Sequence, residues 1–120
     1  MRKITFVFLF SFFIGHLFAQ IQFDYLTPKK NSYKTGDVIT MNIRIKTLPE
    51  TCLKGMNRVK TYVSGLKIDE ISDWKELTKG LWQAKITLTV IDNKKKSAKL
   101  TVMRRVDKED LFRQEIFSLQ

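Results

Sequence analysis

Nucleophilic catalysis by serine or cysteine needs a base within hydrogen-bond reach, most often a histidine. The chain has one histidine, His16, and it lies inside an apolar N-terminal run. Cys52 is the only cysteine, with Lys54 close by in sequence as an activator. A free thiol in that setting reads first as a packed or idle side chain. A lone cysteine also excludes an intrachain disulfide, so its distinctive chemistry would be an intermolecular disulfide and a homodimer through Cys52. Zinc and copper sites draw on several His and Cys ligands, which this composition does not supply, and no cofactor is expected. Asp69, Glu70, Asp73 and Glu76 form the one acidic cluster. Its spacing is not that of an EF-hand loop. A glycosidase would set two such carboxylates across a substrate cleft, for which so short a chain has little room. A solvated acidic loop is the expected role, and the protein is read as a non-enzyme, with a small hydrolase using the cluster as the remote alternative.

The basic residues offer more. Lys85, Lys94, Lys95, Lys96, Lys99, Arg104 and Arg105 lie within a span whose only acid is Asp92. Together they would bind an anionic ligand such as a phosphate, a lipid head group or an acidic glycan through charge-assisted hydrogen bonds. The plainer role is a lysine-rich turn that keeps an exposed sheet edge from aggregating. Nucleic acid is a poor partner, because a binding sheet would need outward aromatics for base stacking and Trp82 falls on the buried phase of its strand. Trp74 is expected to anchor the core. Phe112, Ile116, Phe117 and Leu119 make the C-terminal segment apolar enough to dock on its own domain or to add to a partner protein by strand or helix.

Those residues must be carried by strands, because period-two alternation dominates the chain. Ile21, Phe23 and Tyr25 start a first strand. Thr35-Gly36-Asp37 turns into a second, where Ile39, Met41, Ile43 and Ile45 alternate with polar residues. Pro49 and Gly55 punctuate a loop, and Val59, Thr61 and Val63 then suggest a third strand. Residues 66–77 are ambiguous. Trp82, Ala84, Ile86, Leu88 and Val90, a lysine-rich turn, and Ala98, Leu100 and Val102 read as an antiparallel hairpin, with Lys85 and Lys99 sharing its outward face. Asp107 and Asp110 could cap a short helix over the last residues, and a final strand fits them nearly as well.

The N-terminus orders Arg2 and Lys3, an apolar run from Ile4 to Phe18, and Ala19 before Gln20, as a secretory signal peptide does. Cleavage after Ala19 would remove His16 and leave 101 residues, one domain, with the net charge falling from +10 to +8. The bulky Leu17 leaves an uncleaved membrane anchor as the alternative. An excess of positive charge favours anionic surfaces and partners. Exported, disulfide-free and small, the protein is placed in a bacterial periplasm or at the cell surface.

Several short strands at this spacing predict an all-β sandwich. Lys79-Gly80-Leu81-Trp82, the run to Val90, Asp92 at the turn, and Ala98-x-Leu100-x-Val102 resemble the final hairpin of bacterial immunoglobulin-like and fibronectin-type modules. The Thr35-Gly36-Asp37 turn is similar to their early strands. The resemblance covers about Ile21 to Val106 and departs from the pattern in lacking a cysteine pair and in placing lysines at the late turn. It implies an immunoglobulin-like antiparallel β-sandwich over residues 20–106, after a signal peptide at 1–19 and before an amphipathic segment, helix or strand, at 107–120. Such folds host unrelated roles. The function expected is a binding module that contacts an envelope protein or an anionic surface. The alternative is an assembly accessory of a larger envelope complex, acting through its C-terminal segment.

Overall fold

The computed structural model describes residues 19–47, 56, 58–91, 94–106 and 109–120. Among them are eight strands: β1 (Gln20–Tyr25), β2 (Val38–Lys46), β3 (Val59–Ser64), β4 (Leu66–Ile71), β5 (Lys75–Thr78), β6 (Leu81–Val90), β7 (Ser97–Val106) and β8 (Glu109–Ser118). They form two antiparallel sheets that pack as a sandwich. The first has the order β1-β2-β6-β4, with β5 also on β6, and the second has the order β3-β7-β8. The leader, Cys52 and its loop, and Asp92 and Asp107 lie outside the described residues.

Alternation decides the core. Ile39, Met41, Ile43 and Ile45 of β2 and Ala84, Ile86, Leu88 and Val90 of β6 are buried, and in register Ile39 lies beside Leu88 and Met41 beside Ile86. Opposite them, β7 contributes Ala98, Leu100 and Val102. Each of the larger aliphatic side chains among them stabilises the fold by roughly 1.5–3 kcal/mol relative to exposure. Thr35-Gly36-Asp37 ties the start of β2 to the end of β6: Gly36 N–H donates to Val90 O at 2.8 Å, and Val90 N–H donates to Asp37 O at 2.9 Å. The Asp37 carboxylate accepts from Lys34 N–H at 3.0 Å and pairs with Lys30 at 3.3 Å. The Lys34 bond, then Lys30, holds this carboxyl below its ordinary range.

One expectation changes, and two open ones are decided. The runs read as one hairpin, β6 and β7, are not paired: β6 lies between β2 and β4, while β7 lies between β3 and β8. Each strand buries an apolar run, Ala84 to Val90 in β6 and Ala98 to Val102 in β7, and these two faces meet across the sandwich instead of lying side by side in one sheet. Residues 91–96 are ample chain to span the ~10 Å between stacked sheets. Lys85 and Lys99 therefore point outward from different sheets. Residues 109–118 take the strand form, because the free side of β7 offers a ten-residue ladder that satisfies backbone groups a short helix would leave open. The ambiguous stretch forms two edge pieces, β4 and β5, that pair with successive stretches of β6 in irregular registers.

Tyr33, in a segment that reads as polar, is buried against Phe117 with ring centroids 5.7 Å apart at 87°. Its backbone bridges the end of β8: Tyr33 N–H donates to Ser118 O at 2.8 Å, and Gln120 N–H donates to Tyr33 O at 2.9 Å.

Candidate functional site

The second sheet is a three-stranded layer with one face on the core and the other in water. Its register sets Lys60, Met103 and Phe112 in one row, Tyr62, Thr101 and Gln114 in the next, and Ser64, Lys99 and Ile116 in a third. All nine side chains share the outer face, since Ala98, Leu100, Val102 and Phe117 occupy the inner one. Alternation would make this face polar throughout. Instead Tyr62, Phe112 and Ile116 are 53%, 60% and 54% exposed, with Met103 beside Phe112. Met103 is opposite Phe112 and diagonal to Tyr62 in the register, separations that large side chains cover. Lys60 and Lys99 lie within the same rows, and Lys94, Lys95 and Lys96 are exposed at the end where β7 begins.

The anion-binding set drawn from sequence is divided by the fold. Lys85 is exposed on the other sheet, opposite Asn42 of β2. Arg104 is a correction: it sits on the inner phase of β7, fully buried, beyond reach of an external anion. Arg105 is on the outer phase and pairs with Asp110 at 3.4 Å, both well exposed. Of the set, Lys94, Lys95, Lys96 and Lys99 stay together at the start of β7, while Arg105 lies on the same sheet near the far end of that strand.

The C-terminal set is divided by the same alternation. Phe112 and Ile116 face solvent, whereas Phe117 is 1% exposed in the core and Leu119 packs partly against it. Phe117 is thus a second correction, since its ring is consumed by contacts with Tyr33 and Tyr25. Trp82 and Trp74 both pack against the core, with Trp82 Nε1 lacking a hydrogen-bond partner among the described residues.

Sequence reasoning did not single out Tyr62 or Met103, nor the inward charges of β8. An apolar residue on the polar phase of a strand was the available signal for the first two. On the inner side of β8, Glu115 Oε2 accepts from the Tyr25 hydroxyl at 2.7 Å. Arg113 donates to Ile21 O at 2.9 Å and lies over the Phe23 ring at 5.6 Å. These contacts close the open side of the sandwich between β1 and β8. Burial first, then the Glu115 hydrogen bond and charge, push the Tyr25 hydroxyl well above the ordinary tyrosine range.

The acidic residues do not converge. Asp69 accepts from the Thr89 hydroxyl and lies 3.9 Å from Lys67, whereas Glu76 accepts from Gly80 N–H at 3.1 Å, beside the far end of β6. Among the described residues no group of three or more His, Cys, Asp or Glu side chains is placed to hold a metal ion. No helix among them is long and apolar enough to cross a membrane. What the arrangement offers chemically is an apolar, lysine-bordered sheet face. No protein-family model matches the chain, and no curated protein matches it.

Proposed function

We propose that this chain is an exported, non-enzymatic binding module of immunoglobulin-like architecture that grips a partner protein of the cell envelope through the outer face of its β3-β7-β8 sheet. The observation that carries the reading is the shared exposure of Tyr62, Phe112 and Ile116, with Met103, on a face whose strand phase should be polar. Isolated surface apolar residues need no explanation, but a patch of them bordered by charge marks a contact surface. Aromatic and Met side chains are also the types enriched in interface cores.

Strand order supports the architecture. Constant-type immunoglobulin sandwiches order four strands A-B-E-D against three, C-F-G. Here β1-β2-β6-β4 faces β3-β7-β8, so β6 takes the E position and β7 the F position, which are never neighbours in that fold. The chain between Gln20 and Gln120 also has no histidine, and its acidic cluster is dispersed, which favours binding over hydrolysis. The succession of Arg2 and Lys3, an apolar run and Ala19 in the sequence supports export.

Affinity capture from the native envelope tests the reading. The double variant Phe112→Ser, Ile116→Ser should lose the co-purifying protein, and Lys85→Gln, on the opposite sheet, should keep it. Equal retention by both variants would sink it. The lysine end of the same face supports a second reading, contact with an anionic glycan or lipid head group. There, neutralising Lys94, Lys95 and Lys96 would abolish salt-sensitive binding to anionic vesicles while the Phe112 and Ile116 substitutions would not.

A further inference from the structure

Strand β8 ends the second sheet, and its second side is open among the described residues until Tyr33 bridges it at Leu119, with Tyr33 N–H donating to Ser118 O. Which backbone groups face that side follows from one bond. Leu119 N–H donates to Lys96 O at 2.9 Å, in line with the register that pairs Ala98 with Phe117. Hydrogen-bonded pairs alternate in an antiparallel ladder. The odd-numbered residues of β8 are therefore bonded to β7. Phe112, Gln114 and Ile116 direct both N–H and C=O away from it, into the open edge.

The sequence of that edge is self-complementary about its centre. From Leu111 to Phe117 it reads apolar, apolar, Arg113, Gln114, Glu115, apolar, apolar. A second β8 laid antiparallel about a two-fold axis at Gln114 sets Gln114 against its counterpart. The same register sets Phe112 against Ile116 on the outer face, and Arg113 against Glu115 on the inner face. The parity agrees: Phe112, Gln114 and Ile116 would form the hydrogen-bonded pairs, and Arg113 and Glu115 the closer non-bonded pairs, where side chains approach best. A slip of two residues either way centres the axis on Arg113 or Glu115 and sets like charges against each other. A slip of one turns the apolar row to the wrong face.

Inward charges on an edge strand ordinarily deter pairing with other chains. Here they oppose the registers two residues to either side of the one centred on Gln114. We infer that β8 is a homodimerisation edge: two copies of this chain join their second sheets antiparallel through residues 112–116, making one continuous six-stranded sheet. The Tyr33 bridge at Leu119, which takes up Ser118 O, fixes where that pairing stops. The joined sheet would bring the two Phe112 and Ile116 rows together. Its formation does not depend on any partner the outer face binds. So short an edge contact falls in the small, weak class of interfaces.

Sedimentation of the full chain as the cell processes it, under reductant so that Cys52 cannot bridge copies, tests this from about 10 μM to about 1 mM, the range of weak association. A concentration-dependent monomer–dimer equilibrium is expected. Gln114→Pro removes an N–H that makes no bond to β7, so the sheet tolerates it while the edge is blocked, and this variant should stay monomeric with an unchanged circular dichroism spectrum. Arg113→Glu or Glu115→Arg alone sets like charges opposite each other at both symmetric positions and should weaken association about tenfold. Combining the two substitutions restores the cross-copy pairs but not the contacts with Tyr25 and Ile21, and should recover association to within about threefold of the unmodified chain. A monomer at about 1 mM, a dimer indifferent to Gln114→Pro, or a double variant no better than either single one would overturn the proposal. If the proline variant fails to fold, the charge exchange alone decides.

Discussion

Replacing Tyr25 with phenylalanine probes the seam where the two sheets meet. The ring would keep its edge contact with Phe117, 6.3 Å between centroids, while the 2.7 Å hydrogen bond to Glu115 is deleted. A hydrogen bond to an ionised acceptor contributes about 1.5–3 kcal/mol when well buried. This one is half-buried and reachable by water, so a loss of about 1 kcal/mol is expected at pH 7. In a domain of this size that lowers the melting temperature by roughly 4–8 °C. A double-mutant cycle with Glu115→Ala should return a coupling of about 1 kcal/mol. The sharper readout is pH. The Tyr25 hydroxyl is held protonated above its ordinary value of 10.0, by burial and then by Glu115. Above that pH the unfolded chain releases this proton while the native chain retains it, so the stabilisation, complete below pH 10, is lost as pH rises further. The limiting slope is about 1.4 kcal/mol per pH unit. Urea unfolding of both proteins from pH 9 to 11.5 should show the gap between them closing above about pH 10. Two stability curves that run parallel across this range would refute the argument, because phenylalanine has no proton to release.

Other perturbations follow from the same geometry. Gly80 has φ of +82°, and a Cβ there would lie 3.3 Å from Thr47 O, so Gly80→Ala should cost about 1–2 kcal/mol by urea unfolding. Its backbone carbonyl already accepts from Thr47 N–H at 2.7 Å, which leaves the turn little room to relax. Phe117→Ala should destabilise the fold by about 3–5 kcal/mol, while Phe112→Ala, five residues earlier on the opposite face, should stay within about 0.5 kcal/mol of the parent. Equal effects in thermal melts would mean that the facing of β8 is wrong.

Strand positions were largely legible in the chain, and their neighbours were not. Ile39 to Ile45 and Ala84 to Val90 announce themselves because each alternation tells a strand which side to bury. The same signal cannot say whether two apolar faces lie side by side or face each other, and so β6 and β7 read as a hairpin until their partners were seen. Tyr33 was hidden for a different reason: it sits among Lys29, Lys30 and Lys34, and its burial depends on Phe117, 84 residues away in sequence. Arg104 shows the limit of charge as a guide. Its charge reads as that of a surface cation, yet it continues the phase of Ala98, Leu100 and Val102, and phase prevails over charge. For the C-terminal residues, Phe112 and Ile116 separate from Phe117 only once a strand is chosen over a helix.

Dispersal of the lysines changes what charge can contribute. Lys85 on one sheet and Lys60 and Lys99 on the other cannot converge on one anion, and Arg104 is withdrawn from the surface altogether. Exposed charges spread this way set the potential felt by an approaching partner, which governs encounter rate and its sensitivity to salt. They add little to the lifetime of a complex, because rim charges stay hydrated and screened over about 8–10 Å. Lifetime falls to groups that can be fully desolvated, and on the second sheet those are Tyr62, Met103, Phe112 and Ile116. In the proposed binding role the lysines would recruit an acidic partner and the apolar rows would retain it, so raised salt should slow association far more than it speeds dissociation.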